Sequence, residues 1–140
     1  MAYIETYRKA VDPSECDILG HMNVSRYFVA CSDAMFSLQT ELGLGRSNIV
    51  GGDRMSFAVV HAESDFRSEV LAGEVIVMRS AVEEIGNKSA MFRHKLFRTE
   101  TDVLAFETQF RCVLLDLETR KAAPIPDAIR EKAERMRAGQ

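Results

Sequence analysis

The sequence predicts an α+β fold in which an antiparallel sheet curls around one long helix. Apolar residues recur at spacings of three and four from Val24 to Leu42, which is typical of a helix with a wide buried face. Four strand-like segments then follow one another, at about Met55 to Phe66, Glu74 to Ile85, Ser89 to Arg98 and Val103 to Asp116. A sheet that curves around the helix buries the apolar faces of both elements.

A further strand is predicted ahead of the helix, from Ile4 to Val11. The turn-forming residues Asp12-Pro13-Ser14-Glu15 follow it, and a loop is expected from Asp17 to Asn23. After the helix, Gly43 to Asp53 is predicted to be a second loop. The predicted order of elements is therefore strand, helix and then four strands.

The long helix is predicted to be a central element. Its main apolar face consists of eight residues, namely Val24, Tyr27, Phe28, Cys31, Ala34, Met35, Leu38 and Leu42. Val29, Ala30 and Phe36 widen that face, so we expect protein to cover much of the helix circumference. Gly43, a residue favoured just past helix ends, marks its C-terminus.

Turn signals join the strands that follow. Gly86-Asn87 and Thr99-Glu100-Thr101-Asp102 are short enough for hairpins, so consecutive strands are expected to pair as antiparallel neighbours. The last strand alternates between an apolar face and a polar one. Its apolar residues are Leu104, Phe106, Phe110, Cys112 and Leu114, and its polar residues are Glu107, Gln109 and Arg111.

With 140 residues, of which 46% are hydrophobic and 28% charged, the chain has the size and composition of one globular domain. We expect a single domain over residues 1–140, ending in a polar helix from Asp127 to about Arg137 after Pro124 and Pro126. The net charge of -3 supplies no basic field for nucleic acid. No segment resembles a leader peptide or a membrane span, so a cytoplasmic location without membrane contact is expected.

The three cysteines, Cys16, Cys31 and Cys112, are odd in number and widely spaced. This pattern is typical of reduced thiols, so neither a disulfide nor a metal site is expected. Motifs of several enzyme classes are absent from the sequence: the Gly-x-Ser-x-Gly elbow, the Walker phosphate loop, the dinucleotide glycine fingerprint and the Cys-x-x-Cys pair.

One segment resembles a known active-site motif. In Cys16 to Phe28, an Asp is followed by Gly-His-Met-Asn and then by a Tyr near the start of the helix. This order resembles the motif of the 4-hydroxybenzoyl-CoA thioesterase-like hot-dog family. Weaker similarity extends along the chain, over Glu63 to Glu74, Val82 to Ser89, and Leu114 to Lys121 with Pro124 and Pro126. Arg67-Ser68 departs from the family pattern, since many members place an Arg-Pro pair there.

The resemblance implies a hot-dog fold, a curved antiparallel sheet wrapped around one long central helix, and an acyl-CoA thioesterase activity. It also implies that two subunits pair into a homodimer with one continuous sheet and with active sites at the subunit interface. Dimers of dimers are frequent in the family, so a tetramer is a further possibility. No cofactor is implied, because coenzyme A is part of the substrate.

Thioester hydrolysis needs a nucleophile or an activated water, and donors aimed at the carbonyl oxygen. Asp17 is the candidate carboxylate, either as the nucleophile or as a general base on water. Free backbone amides near Val24 and Ser25, at the helix start, are the candidate oxyanion hole. Asn23 is suited to cap the helix and so to order these donors, and His21 is a candidate for orienting the thioester.

The remaining candidate residues concern substrate binding. Gly20 allows close approach of the backbone to the substrate, and Tyr27 is expected to line the acyl pocket. His61 and Glu69 are further candidate substrate contacts, Glu69 from across the dimer. The CoA phosphates are assigned to three residues, Arg67, Lys88 and Ser89.

Two other functions fit the same fold. A hydratase or dehydratase would require His61 or His94 to converge on Asp17. A non-catalytic acyl-CoA-binding protein would bind the thioester without releasing a thiol.

Overall fold

The computed structural model describes residues 3–137. The helices are α1 (Val24–Glu41), α2 (Arg46–Val50) and α3 (Asp127–Arg135), and the strands are β1 (Ile4–Ala10), β2 (Met55–Phe66), β3 (Val75–Ile85), β4 (Ser89–Arg98) and β5 (Val103–Asp116). All five strands form one antiparallel sheet, and α1 packs against one of its faces. The predicted α+β class, a curved sheet around a long helix, is confirmed.

The order of strands in the sheet is β1-β3-β4-β5-β2. The two predicted hairpins are present, and they join β3, β4 and β5 into a meander. The expectation that all four later strands pair in chain order is wrong for β2, which lies at the sheet edge beside β5. In that register Phe57 faces Leu114 and Phe66 faces Phe106, so an aromatic side chain near each end of β2 packs beside an apolar side chain of β5.

Element ends differ from the prediction by one or two residues, as is usual where helices and strands fray. Helix α1 ends at Glu41 with Leu42 as its cap, while β1 ends at Ala10 and β3 begins at Val75. The segment predicted as a loop after α1 contains the short helix α2, and a single 3-10 turn covers Pro13–Glu15. Helix α2 has only five residues and no side-chain cap, so its sequence carries little helical signal.

The core lies between α1 and the inner face of the sheet. Tyr27, Ala30, Cys31, Ala34 and Leu38 of α1 are buried there against apolar side chains of the strands. A polar contact also joins helix and sheet, because the Gln39 side-chain oxygen accepts the Phe57 amide at 2.8 Å.

Part of the apolar surface of α1 is not covered within this chain. Val24, Val29 and Phe36 are 56%, 47% and 55% exposed, and Phe28 is 39% exposed. The prediction that protein covers much of the helix circumference is therefore wrong for the single chain. The sheet reaches only one side of the helix, so an apolar stripe beside β2 is left open.

A row of polar side chains crosses the inner face of the sheet. Ser80, His94 and Thr108 are neighbours across β3, β4 and β5, and Ser64 of β2 continues the row. The Ser80 hydroxyl lies 2.6 Å from Nδ1 of His94, while Nε2 of that ring has no partner among residues 3–137. Burial lowers the pKa of His94 to about 4, so the fold requires the neutral ring at neutral pH.

The cysteines are free, and Cys31 and Cys112 are buried. Burial raises the pKa of each of these two thiols to about 12, which makes them inert as nucleophiles at neutral pH. No helix within residues 3–137 is long and apolar enough to cross a membrane.

The burial of His94 predicts how stability changes with pH. The pKa of His94 in the folded protein is about 4, below the ordinary value of 6.5. The contribution of neutral His94 to the free energy of unfolding is therefore complete above pH 6.5 and is lost as pH falls toward 4. The loss amounts to about 1.4 kcal/mol per pH unit over that window. Urea unfolding of the His94→Phe variant should show a shallower pH dependence than the wild type between about pH 6.5 and 4.5.

Phe92→Leu is the matched control, since Phe92 is fully buried two residues away in the same strand and has no titratable group, so its replacement should leave the slope unchanged. A wild-type slope in the His94→Phe variant would show that His94 does not govern acid stability.

Candidate active site

The candidate catalytic loop is closed by its own backbone. The Asp17 amide donates to the His21 carbonyl at 3.1 Å, and the Gly20 amide donates to the Asp17 carbonyl at 3.0 Å. Gly20 has a φ of +86°, which side chains other than hydrogen disfavour, and a Cβ there would meet no atom within 4 Å. Glycine is therefore needed here for the conformation of the turn. Its predicted role in close approach to substrate stays a prediction.

Asn23 joins this loop to the start of α1. Its side-chain oxygen accepts the Ser25 amide at 2.9 Å, so Asn23 caps the helix as predicted. Its Nδ2 donates to Oδ2 of Asp17 at 2.8 Å. One side chain thus fixes both the helix terminus and the carboxylate.

The Asp17 carboxylate is held in its ionised form. Besides the bond from Asn23, its Oδ1 accepts the Leu19 amide at 2.9 Å. These two hydrogen bonds, that from Asn23 first, hold the pKa of Asp17 below its ordinary value. The group is a carboxylate throughout the neutral pH range, with a fixed orientation and partial access to solvent.

The amides at the start of α1 are not equivalent. The Ser25 amide is taken by the Asn23 cap, so the prediction that it serves the oxyanion hole is wrong for this structure. The Val24 amide, by contrast, donates to no acceptor within the part of the chain that the structure describes. It lies at the positive end of the helix macrodipole, where a developing negative charge is stabilised.

A recess of about 310 Å³ lies beside this helix start. It brings together five of the predicted site residues, His21, Val24, Tyr27, Arg67 and Glu69, and its other lining residues are Met22, Phe66 and Ser68. The loop and the 67–74 connection are tied by the Met22 amide, which donates to the Val70 carbonyl at 2.7 Å. Asp17 is not a lining residue, but it bonds to Asn23, the neighbour of Val24.

Two side chains of the recess, His21 and Tyr27, are held by contacts within the chain. Nδ1 of His21 lies 3.2 Å from the Met22 carbonyl; when this nitrogen carries the proton, Nε2 is left as an acceptor. Tyr27 packs its ring on Phe66 and Phe106, with centroids 5.1 and 4.9 Å away. Burial raises the pKa of Tyr27, so its hydroxyl stays protonated at neutral pH.

Other predicted site residues lie elsewhere. His61 is exposed on β2 beside Glu63, at 3.2 Å, and His94 is buried under α1, so neither histidine bonds to Asp17 within residues 3–137. Arg67 reaches the recess but also pairs with Glu107 at 2.8 Å.

Lys88 is exposed in the β3–β4 hairpin, and Ser89 lines a second recess of about 370 Å³. Sequence reasoning missed two cations of this second recess, Arg111 and Arg137. The residues that line this recess are far apart in the chain, so sequence patterns do not show that they meet. The one sequence signal for a cation here was the position of Arg111 on the polar face of β5. No group of three His, Cys, Asp or Glu side chains within residues 3–137 is placed to hold a metal ion.

Comparison with known proteins assigns the chain to a family. The family model described as the thioesterase-like superfamily matches residues 11–133, which include the candidate loop, α1 and every strand except β1. The chain belongs to the thioesterase-like superfamily. Membership confirms the family that the motif predicted, and the relatives' names bear out the predicted enzyme class, a thioester hydrolase.

Two curated relatives illustrate the range of the family. The chain is 25% identical over 129 residues to a 1,4-dihydroxy-2-naphthoyl-CoA hydrolase of Prochlorococcus marinus, covering 87% of this chain and 84% of the relative. It is 22% identical over 123 residues to the long-chain acyl-CoA thioesterase FadM of Escherichia coli, covering 86% and 89%. One relative is thus named for an aromatic acyl group and the other for a long-chain one.

The fold is shared with solved structures. A hypothetical protein of Staphylococcus aureus, solved in complex with CoA, superposes with a TM-score of 0.88 over 100% of this chain and 88% of its own, at 16% identity. This similarity confirms the predicted hot-dog fold.

The bond from Asn23 to Asp17 generates a prediction that does not depend on activity. In Asn23→Ser the hydroxyl still caps α1, but the amide group that donates to Oδ2 of Asp17 is gone. The pKa of Asp17 should therefore rise toward its ordinary value. Carboxyl ¹³C NMR titration of Asp17 measures this change.

Asn23→Ala separates the two roles of Asn23. It should raise the pKa of Asp17 in the same way and also lower the free energy of unfolding by about 1 kcal/mol through loss of the cap. An Asp17 pKa that is the same in wild type and Asn23→Ser would contradict the assignment.

Proposed function

We propose that the protein is an acyl-CoA thioesterase that hydrolyses its substrate to a free acid and CoA. The observation that carries the proposal is the Asp17 carboxylate bonded to Asn23, the residue directly before Val24, whose amide has no acceptor within residues 3–137. A carboxylate and an unpaired helix amide are the two groups that thioester hydrolysis requires. Membership of the thioesterase-like superfamily supports the same reaction.

In the proposed reaction the thioester lies in the recess beside α1, with its carbonyl oxygen directed at the Val24 amide. Attack on the carbonyl carbon moves an electron pair onto that oxygen, and the amide and the helix macrodipole stabilise the charge. The leaving group is a thiolate whose thiol has a pKa of about 8.5, so no strong acid is needed. His21 and Tyr27, which line the recess, are the groups we assign to orienting the thioester.

Asp17 has two possible roles in this scheme. As nucleophile it forms a mixed anhydride with the acyl group, CoA leaves as the thiolate, and water then hydrolyses the anhydride. As general base it takes a proton from the attacking water. The lowered pKa of Asp17 keeps the group ionised at neutral pH, which both roles require.

For the CoA phosphates we propose the second recess, where Arg111 and Arg137 join Ser89, with Lys88 nearby in the hairpin. Arginine guanidinium groups bind phosphate through paired hydrogen bonds. Arg111 has no ion pair within residues 3–137, whereas Arg137 pairs with Glu134 at 3.3 Å and Glu84 also lines the recess, so Arg111 is the stronger of the two candidate phosphate contacts. Arg67 is half exposed but paired with Glu107, and it would have to share its guanidinium to reach a phosphate.

We also propose that two copies form a homodimer through β2. Within residues 3–137 β2 pairs on one side only, and its Val59 and Val60 are 47% and 58% exposed. Pairing of two β2 strands would satisfy their open edges and continue the sheet across both copies. The exposed stripe of α1 lies on the same side and would be covered in part by the partner.

A hydratase or dehydratase is the less favoured function. It needs a histidine beside Asp17, whereas His94 is buried under α1 and His61 bonds to Glu63. A non-catalytic acyl-CoA-binding protein has no need of an ionised carboxylate beside a free helix amide. Incubation with an enoyl-CoA and tight binding without thiol release are the observations that would favour these two functions.

The Asp17→Asn variant tests the role of Asp17. Asp17→Asn keeps an oxygen for the Leu19 amide and should retain the fold, but it removes the carboxylate. We expect thiol release from a panel of acyl-CoAs to fall by roughly a hundredfold or more. The exposed Asp33, on α1, provides the matched control, and Asp33→Asn should keep wild-type activity. Undiminished thiol release by Asp17→Asn across the panel would reject this role.

The dimer is tested at Val60. Val60→Glu places a carboxylate at the β2 edge of both copies, where like charges repel and pairing is blocked. Sedimentation should show a monomer with little thioesterase activity, whereas Val103→Glu, at an exposed site on β5, should behave as the wild type. A Val60→Glu variant that sediments as the wild type does would exclude this interface.

A further inference from the structure

A buried carboxylate that the proposed reaction does not use lies at the base of the candidate catalytic loop, where the chain enters it. Glu15 is only 7% exposed, and its Oε1 accepts from Nζ of Lys9 at 2.8 Å and from the Asp12 amide at 2.9 Å. Burial alone would raise the pKa of Glu15, but these two donors outweigh it and hold that pKa below its ordinary value. Glu15 is therefore ionised at neutral pH and paired with a cation of β1.

The backbone of Glu15 connects this ion pair to the residues of the proposed reaction. Its carbonyl accepts the Asn23 amide at 2.9 Å, across the base of the loop. Asn23 in turn caps α1 and donates to Oδ2 of Asp17, which follows Glu15 by two residues. Glu15 thus adjoins both partners of the bond that orients the candidate carboxylate.

Strand β1 gives the base of the loop a fixed support. Lys9 lies opposite Ile76 of β3 in the antiparallel sheet, so its backbone is held by the ladder. Between Lys9 and the loop, the 3-10 turn is capped reciprocally: Asp12 accepts the Ser14 amide at 2.8 Å, and Glu15 accepts the Asp12 amide. The Glu15 side chain is therefore held by the sheet through Lys9 and by its own turn through Asp12.

The ion pair between Glu15 and Lys9 is better suited to fixing geometry than to stabilising the fold. Removing a carboxylate from water costs free energy that its pairing largely offsets, so such a pair adds little net stability. Its bonds do, however, require one orientation of the Glu15 side chain. A buried side chain with this property, at the base of the loop, is expected to act on the shape of the loop.

We propose that Glu15 is a positioning residue for the thioesterase reaction: its ion pair with Lys9 fixes the base of the loop and, through Asn23, the orientation of the Asp17 carboxylate. The inference rests on the proposed function and adds to it a residue that does not touch the substrate. Glu15 does not line the recess, so its loss should affect the reaction step more than substrate binding. A displacement of about 1 Å at the reacting groups can lower a rate by roughly a hundredfold.

The first test separates kcat from KM. Glu15→Gln removes the charge but keeps a side-chain oxygen for the Asp12 amide. With the acyl-CoA that the wild type hydrolyses fastest, we expect kcat to fall by roughly tenfold or more and KM to stay near the wild-type value. Lys9→Met breaks the same ion pair from the other side and should give the same result. Lys9→Arg keeps the cation and should keep kcat near that of the wild type.

The second test needs no activity. Carboxyl ¹³C NMR titration measures the pKa of Asp17 in Glu15→Gln. Loss of the Glu15 charge alone would lower the pKa of Asp17, because a like charge is removed. A weaker bond from Asn23 to Asp17 would instead raise it. We expect a rise, which a change of charge by itself does not produce.

The exposed ion pair between Arg8 and Glu5, at 2.9 Å in the same strand, supplies matched controls. Glu5→Gln is matched to Glu15→Gln, and Arg8→Met is matched to Lys9→Met. Both controls should keep the kcat and KM of the wild type, and Glu5→Gln should also keep its Asp17 pKa.

The outcomes separate this inference from the proposed function. Wild-type kcat in Glu15→Gln, or a loss in Lys9→Arg as large as that in Lys9→Met, would overturn the positioning role. Should Glu15→Gln fail to fold, the contrast between the two Lys9 variants supports or overturns the role by the same criterion. If the wild type releases thiol from no acyl-CoA, the proposed function itself fails. In that case an Asp17 pKa that falls or stays the same in Glu15→Gln overturns the link from Glu15 to Asp17 separately.

Discussion

The bond between Asn23 and Asp17 is the interaction on which the candidate site depends. It joins the start of α1 to a carboxylate in the preceding loop, at 2.8 Å, while the same Asn23 side chain caps the helix. The Ser25 amide donates to the Asn23 cap, so it is not available to a substrate. The Val24 amide, in contrast, has no acceptor within residues 3–137. The carboxylate and the free amide are therefore positioned by one residue, which gives them a fixed relative geometry.

The sheet supplies the rest of the site. The 67–74 connection follows β2, and its Val70 carbonyl accepts the Met22 amide, so this connection and the candidate catalytic loop are held together. Because β2 lies at the edge of the sheet, it leaves α1 uncovered on one side. The same gap leaves an apolar concavity between α1 and β2 and an open strand edge for a second copy.

Local features of this fold could be predicted from the sequence, whereas features that depend on distant contacts could not. The helical spacing of α1 and the two hairpin turns are local, and they were predicted to within a residue or two. The place of β2 beside β5 depends on pairing between distant segments, which turn signals do not encode. In the candidate site, the motif predicted Asp17 and Asn23, but only the structure shows that the Ser25 amide already donates to the Asn23 side chain. The meeting of Ser89 with Arg111 and Arg137 likewise requires the folded sheet.

A crystal structure of the Asp17→Asn variant with an intact acyl-CoA bound tests the proposed site most directly. We expect the thioester carbonyl oxygen within roughly 3 Å of the Val24 amide nitrogen and the carbonyl carbon within roughly 3.5 Å of the residue 17 side chain. A thioester bound away from Val24, or one whose carbonyl oxygen is held by other donors, would contradict it.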